Sequence, residues 1–368
     1  MKVQVTQENL ASALQSVSRI AGRNTGLPIL GNVLIRTVNN RLFIAATNLE
    51  IAITEYIGAK VIDEGEITVP AKLVSDFVAN LPPGNVDLSV EGTSLAIAEA
   101  NYSSTVHGMA ASDFPSIPTI ENTNPVEMNS DLFKDAISQV AGAASTDETR
   151  PVLTGVVLKL TDNKLRLAAT DSYRLAEKVL SLQSTGEQKS VIIPARSLQE
   201  FNKLIGSEEK VQLFIDEDQV KFVCGDREAT SRLIEGSYPD YEQLLPNETK
   251  TSFTVSRNEL LRITKISSLF AKDSAGSVTL NTDKSKSAIT LSSTTAQVGD
   301  NTSSLEVQGL DNDDQVTFNA RYLIEALQAL PGEQINFGFS GKLAACVIRP
   351  VSKSNAQTDL YLIMPLRS

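Results

Sequence analysis

His107 is the only histidine among 368 residues, which removes most side-chain catalysis from the chain. A Ser-His-Asp or Cys-His arrangement would have to use it, and its context, STVHGM, reads as the end of a strand. Two scattered cysteines, Cys224 and Cys346, do not complete a zinc site. They are also too few for a disulfide framework and read as small core residues of strands in a reducing cytosol. The run LDNDD at 310–314 offers oxygen ligands for a hard cation. It lacks the glycine and distal glutamate of a calcium loop and reads as a solvated turn. No G-x-G-x-x-G follows a strand and no G-x-x-x-x-G-K-[ST] occurs, so neither a dinucleotide nor a P-loop nucleotide site is signalled. A hydrolase using carboxylates would need clustered Asp and Glu unique to one of the chain's repeats, and none is found. The expectation is a binding protein or scaffold with no catalytic residues, no metal and no cofactor.

The elements that would carry such a scaffold are written three times. PILGNVLIRTVNNRLFIAATNLEIAI (28–53) aligns without a gap on PVLTGVVLKLTDNKLRLAATDSYRLA (151–176), and a weaker copy is SVTLNTDKSKSAITLSSTTAQVG (277–299). In the third copy Ile289, Leu291 and Thr294 stand where Leu42, Ile44 and Thr47 do in the first. Downstream, ITVPAKLVSDFVANLP (67–82), VIIPARSLQEFNKLIG (191–206) and VTFNARYLIEALQALP (316–331) each run from a β-rich triplet into a helical pattern. Upstream lie three amphipathic segments, beginning at Thr6, Asn129 and Ser256 as N-caps. Leu10, Leu14, Val17 and Ala21 share one helical face in the first, and Phe133, Ile137, Val140 and Ala144 in the second.

Between helices the apolar residues alternate with period two, as in DQVKFVCG (218–225) and GKLAACVI (341–348), with short polar turns such as NN, DN and EDQ. The unit is therefore an α+β domain, a largely antiparallel sheet with helices on one face. Borders fall near IENTNPVE (120–127) and LLPNETKTS (244–252), giving domains 1–122, 123–247 and 248–368. Three such copies suit an arc, and an arc is closed by a second, two-fold related chain.

Met1 is followed by KVQVTQENL, which lacks the apolar stretch of a secretory signal, and no run approaches the roughly 18 apolar residues of a membrane span. The net charge of −11 argues against nucleic acid, but distribution matters more than the sum. On helices predicted at 6–23, 71–81, 130–145, 195–205, 256–272 and 320–330, basic residues outnumber acidic ones by four. No aromatic residues interleave with them, so any DNA would be held by its backbone without base readout.

The threefold repeat, LPILGNVLI (27–35), AATDSYRLA (168–176), SYPDYEQLLP (237–246) and YLIMPLR (361–367) resemble the bacterial DNA polymerase III beta subunit family, the beta sliding clamps, from Met1 to Ser368. The resemblance implies three tandem DNA-clamp domains in a chain that closes into a ring as a head-to-tail homodimer. It implies double-stranded DNA inside the ring, tethering of the replicative polymerase catalytic subunit, and loading by a separate ATP-driven clamp loader. A cytoplasmic, nucleoid-associated protein without a membrane anchor follows. A clamp-like scaffold serving partners outside replication is the alternative that sequence does not separate.

The family's cleft between the second and third domains receives short motifs of polymerases, the loader and repair proteins. Carried over, it falls on Arg150, Leu153, Thr170, Ser172, Tyr173, Arg174, Leu175 and Pro239, and on Leu244, Leu343, Ala345, Leu362, Met364, Pro365, Leu366 and Arg367. The leucines and methionine would wall the pockets, and Arg150, Arg174 and Arg367 would anchor peptide carboxylates or carbonyls. Relatives often carry Gly-His at Ser172-Tyr173 and Leu at Ser368, and aromatic DNA contacts at Pro151 and Val152. The DNA channel would be lined by Arg19, Arg23, Lys72, Lys134, Arg196, Lys203, Arg262, Lys265 and Arg321. The subunit interface would set Ser104 and Val106 against Leu269 and Phe270.

Overall fold

The computed structural model describes the chain apart from residues 23–25, 118, 121–123, 185–186, 247, 272–275, 296–298, 352–358 and 367–368. Each repeat lays down the same succession. The first has β1 (Lys2–Thr6), α1 (Gln7–Val17), β2 (Asn32–Val38), β3 (Arg41–Thr47), β4 (Ile51–Gly58), a short β5 (Lys60–Asp63), β6 (Glu66–Pro70), α2 (Ala71–Ala79), β7 (Asn85–Glu91), β8 (Ser94–Glu99) and β9 (Tyr102–His107). The second has β10 (Val126–Asn129), α3 (Ser130–Val140), β11 (Gly155–Thr161), β12 (Lys164–Thr170), β13 (Arg174–Ser181), β14 (Lys189–Pro194), α4 (Ala195–Leu204), β15 (Lys210–Ile215), β16 (Gln219–Cys224) and β17 (Arg227–Arg232). The third has β18 (Thr251–Ser256), α5 (Arg257–Leu269), β19 (Ser277–Asp283), β20 (Ala288–Thr295), β21 (Gly299–Glu306), β22 (Gln315–Asn319), α6 (Ala320–Ala329), β23 (Gln334–Phe339), β24 (Cys346–Pro350) and β25 (Asp359–Ile363).

The sheets run across the repeat borders. The chain forms two compact units, Met1–Phe133 with Arg196–Leu233, and Lys134–Ala195 with Ile234–Ser368. The first unit holds a sheet β5-β1-β7-β8-β9 and an eight-stranded sheet β10-β15-β16-β17-β4-β3-β2-β6. The second holds an eight-stranded sheet β14-β11-β12-β13-β25-β24-β23-β18 and a sheet β21-β20-β19-β22. The middle repeat is thereby shared: its β17 pairs with β4 of the first, and its β13 with β25 of the third. All pairings are antiparallel, as the alternating patterns imply.

Local rules explain the elements. The NN and DN turns are two-residue hairpins with Asn39, Asn40, Asp162 and Asn163 all at positive φ, which Asn and Asp tolerate best after glycine. Helix α1 buries Leu10, Ala13, Leu14 and Val17 on one stripe. Ser256 caps α5 by accepting from the Glu259 N–H at 3.4 Å, and Asn129 accepts from the Leu132 N–H at 3.0 Å. Thr6 precedes α1 in extended conformation without a side-chain cap. Phe133, Phe201 and Phe222 form the aromatic centre of the first unit, with Phe201 and Phe222 stacked at 4.6 Å. Both cysteines are buried strand residues.

Three expectations are corrected. Helix α1 stops at Val17, before Ala21: the Gly22 N–H leaves the helical path to donate to the Leu30 carbonyl at 2.9 Å. Helix α3 stops at Val140 and tightens into a 3-10 turn over Ala141–Ala143, where Gly142 weakens the α-helix. The strand expected at 341–348 starts only at Cys346, because Gly341 (φ 75°) turns the chain and donates to Asp314 Oδ2 at 2.9 Å. The shorter helices carry eight basic and seven acidic residues, so the excess of four shrinks to one. Arg19 sits in the turn past α1, and Arg23 and Lys272 lie outside the described residues. No helix is long and apolar enough to cross a membrane among the described residues.

Candidate partner-binding site

The repeated Ala-Ala-Thr ends in a corner whose geometry explains the repetition. At β3–β4 the Thr47 hydroxyl donates to the Ile51 carbonyl at 3.0 Å and accepts from the Leu49 N–H at 3.0 Å. Asn48 Oδ1 accepts from the N–H groups of Glu50 and Ile51. At β12–β13 Thr170 donates to the Arg174 carbonyl at 2.6 Å and accepts from the Ser172 N–H at 3.1 Å. Asp171 Oδ1 accepts from the N–H groups of Tyr173 and Arg174, each at 2.9 Å. Leu49 and Ser172 both sit at φ 78°. A Thr followed by Asn or Asp is thus a self-satisfied corner, and the three residues after it are free to differ.

In the second copy that freedom is used. The corner turns Tyr173 outward, 58% exposed, and Arg174 inward, 6% exposed. Arg174 donates to Asp171 Oδ2 at 3.0 Å, to the Gly142 carbonyl at 2.8 Å and to Glu325. Its guanidinium lies 4.9 Å from the centroid of the Tyr322 ring, and Tyr322 stacks with Tyr173 at 6.4 Å and 17°. Burial works against the guanidinium's charge, but Tyr361, Glu325 and Asp171 more than offset it, so its pKa ends above the usual arginine value. Burial likewise pushes the Glu325 carboxyl up, and its bonds to Arg174 and Arg321 outweigh that and hold it below the usual carboxylate range. Arg174 therefore braces the corner, its guanidinium bonded to Asp171, Gly142 and Glu325 within the chain.

Around this brace the second unit gathers the other expected cleft residues. Leu175 and Leu362 belong to a buried cluster with Val157, Ala168, Tyr241, Val347 and Leu360, and Ala345 packs against it from the surface. The Met364 N–H donates to the Tyr173 carbonyl at 2.8 Å, which ties the C-terminal segment to the corner. Arg150 donates to Ser172 Oγ at 3.1 Å, and Leu153 is buried in the adjoining 3-10 turn. Leu244 ends a short 3-10 turn at Glu242–Leu244, and Pro239 precedes it, exposed. Pro365 and Leu366 are half-buried, and the Leu366 N–H donates to the Thr317 carbonyl at 2.8 Å. Arg367 lies outside the described residues. Of the expected cleft residues, Tyr173, Leu244, Leu343 and Met364 stay exposed.

Sequence reasoning missed Tyr322, Glu325 and the two tyrosines beneath the corner. The Tyr238 hydroxyl accepts from the Thr170 N–H at 3.0 Å, and the Tyr241 hydroxyl donates to Glu177 at 2.7 Å. Tyr322 stands at the helix position held by Leu73 and Ser197 in the earlier copies, so an aromatic unique to the third copy was the available signal.

Of the expected DNA-facing residues, Arg19, Lys72, Arg196 and Lys203 lie in the first unit and Lys134, Arg262, Lys265 and Arg321 in the second, all exposed. Arg23 lies outside the described residues. Arg19 and Lys72 line one cleft of about 370 Å³. Lys203 pairs with Glu200 at 2.8 Å and Arg321 with Glu325 at 2.7 Å on their own helices. Ser104 and Val106 lie on β9, and Leu269, 59% exposed, and Phe270 end α5. Among the described residues no cluster of His, Cys, Asp or Glu is placed to hold a metal ion.

Comparison with known proteins covers the chain from end to end. Models of the N-terminal, central and C-terminal domains of the DNA polymerase III beta subunit match residues 1–118, 127–240 and 242–367. The beta sliding clamp of Synechocystis sp. is 31% identical over 391 residues, covering 100% of this chain and 99% of that protein, and the Bacillus subtilis one is 29% identical with both covered fully. The crystal structure of the B. subtilis DNA polymerase sliding clamp superposes with a TM-score of 0.94 at 28% identity, covering 100% of this chain and 99% of that one. The Thermotoga maritima beta subunit gives 0.92 at 27%, with the same coverage. With three clamp repeats in sequence and fold, the chain belongs to the bacterial DNA polymerase III beta subunit family, the beta sliding clamps.

Proposed function

We propose that two copies of the chain close head to tail into a ring around duplex DNA, and that the ring tethers the replicative polymerase for processive synthesis. The observation that carries this reading is a pair of open sheet edges. Within the chain, the fourth main strand of one repeat pairs with the last strand of the next, as β4 with β17 and β13 with β25. Among the described residues the pattern leaves β21 of the third repeat and β9 of the first without a strand on their outer sides. Strands β4 and β13 are mostly buried, whereas all eight residues of β21 are exposed or half-exposed. A long open edge invites a strand, and a second copy supplies the matching one. Leu269 and Phe270 flank this closure beside Ser104 and Val106.

The domains are taken as 1–122, 123–247 and 248–368, each contributing two helices to the DNA side. Arg19, Arg23, Lys72, Lys134, Arg196, Lys203, Arg262, Lys265 and Arg321 meet phosphates without reading bases. The exposed apolar set around Tyr173, Leu244, Leu343 and Met364 takes linear motifs of the polymerase catalytic subunit, the clamp loader, other polymerases and repair proteins. The chain catalyses nothing and needs no cofactor, and it works in the cytoplasm on the nucleoid. The test is retention on DNA: loaded onto a closed circle by its clamp loader, the protein stays until the circle is cut. Equal retention on linear DNA, or a monomer at micromolar concentration that no loader retains, refutes the reading. Met364→Ala with Leu366→Ala should abolish binding of a polymerase-derived peptide while the dimer persists.

A further inference from the structure

Among the ion pairs that join neighbouring repeats, one at each seam stands at the same register position, with opposite polarity in the two. In β4–β17, Glu55 lies directly across from Arg227, with Oε1 accepting from Nε at 3.1 Å. In β13–β25, Lys178 lies across from Asp359 at 2.5 Å. The positions correspond: Glu55 faces Ile44 within its hairpin and Lys178 faces Leu167, and these two are matched in the repeat. Arg227 and Asp359 each stand two residues before the strand residue that faces Phe222 or Ile348. Phe222 and Ile348 in turn face Leu213 and Phe337. The four side chains are at most 24% exposed.

The polarity makes the seams mutually exclusive. Were β4 to pair with β25 in this register, Glu55 would face Asp359. Were β13 to pair with β17, Lys178 would face Arg227. Like charges set directly opposite each other destabilise a strand pairing, and a pairing can be disfavoured by building in such a clash. On the open edges the same position is neutral. On β21 it is Ser303, which faces Leu291, the residue matched to Ile44 and Leu167. On β9 it is Tyr102, two residues before Ser104, which faces Ile97.

We infer that this alternating pair keys the sheet edges, so that β21 is left to pair with β9 of a second copy and does so with Ser303 opposite Tyr102, Asn301 opposite Ser104 and Gly299 opposite Val106. The inference rests on the ring reading, which already sets β21 against β9, and adds to it the register and the ion-pair key that fixes it. A mispaired edge would bury an uncompensated charge, while the neutral edges carry no such penalty against each other.

The experiment installs the key where it is missing. Protein carrying Ser303→Lys is mixed with protein carrying Tyr102→Glu, and the dissociation constant is measured by analytical ultracentrifugation. The mixed dimer should be at least about fivefold tighter than the two single variants predict independently. Ser303→Lys mixed with Thr105→Glu should show no such gain, because residue 105 points to the other sheet face. A dimer in which 303 and 102 do not couple, or in which 303 couples better to 105, overturns the register and leaves the ring standing. A chain that stays monomeric overturns the ring itself. Within the first seam, Glu55→Lys should expose the β4 and β17 amides to hydrogen exchange, and Arg227→Asp added to it should restore their protection. No better protection in the double variant than in Glu55→Lys alone refutes the keying.

Discussion

Replacing Arg174 by Ala tests whether the corner beside the candidate cleft is held by one buried guanidinium. The side chain is 6% exposed and engages Asp171, Glu325, the Gly142 carbonyl and the Tyr322 ring. Removing one partner of a buried ion pair costs about 3–5 kcal/mol when the other is stranded. Here neither carboxylate is fully stranded. Asp171 keeps the Tyr173 and residue-174 N–H groups at 2.9 Å, and Glu325, 32% exposed, keeps Arg321 at 2.7 Å. The expected loss is therefore about 2–3 kcal/mol, an increase of about 30- to 150-fold in amide exchange along β13. Arg174→Lys should recover little, since one ammonium cannot span the fork's partners. Acid should act on the same brace. The Glu325 carboxyl sits below its unfolded value, so its contribution is complete above that value, about pH 4, and disappears as pH falls through the folded one. Hydrogen exchange followed by mass spectrometry reads all three. Protection of β13 within about 0.5 kcal/mol of the parent in Arg174→Ala would refute the bracing role.

Leu49 and Ser172 occupy the same left-handed corner position at φ 78°, so Leu49→Gly and Ser172→Gly should each stabilise by up to about 1 kcal/mol in denaturant melts, and a loss of stability would contradict the strain. Burial pushes the Tyr238 and Tyr361 phenols up to about 12, and burial with the Glu177 carboxylate pushes Tyr241 up as well. Their folded values lie above the unfolded one, about 10, so the second unit is at full stability below pH 10 and loses it as pH climbs toward about 12. An alkaline titration should show these phenolates appearing late, together with unfolding. Cys224 and Cys346 are buried with thiols pushed up, chiefly by burial, so a thiol reagent at about pH 8 should label neither in the folded protein and both in urea.

The sequence made the repeat legible because its markers are local. The Thr-Asx corner, the two-residue Asn and Asp turns and the apolar helix stripes each satisfy their own backbone within a few residues, so they survive duplication and can be matched by eye. Helix ends were harder. The apolar stripe continues through Ala21 and Ala144 into turns that stay packed, so periodicity persists after the helix has stopped. Seams between repeats were not legible, because which edge pairs with which is decided between residues as far apart as Glu55 and Arg227. The same distance hid the brace. Nothing near Arg174 in the sequence points to Glu325 and Gly142, which two other elements bring to it.

A chain of net charge −11 that surrounds a polyanion needs a reason to stay there. Its helices offer eight basic residues against seven acidic ones, and Lys203 and Arg321 are among those engaged by carboxylates of their own helix. A protein meeting about six phosphates loses on the order of a thousandfold in affinity between 50 and 200 mM salt, so attraction this weak cannot hold it to DNA under cellular conditions. Weak contact suits a ring that must slide, because tight phosphate contacts would impede movement along the duplex. In the proposed ring, retention comes from closure, and closure from the edge strands β9 and β21. That places the demand for stability on the strand pairing between copies and leaves the channel free to be only mildly attractive. The duplicated fold fits this division: each seam within the chain holds a buried ion pair, and the edge left for a second copy, β21, carries Asn301, Thr302, Ser303 and Ser304 at its centre.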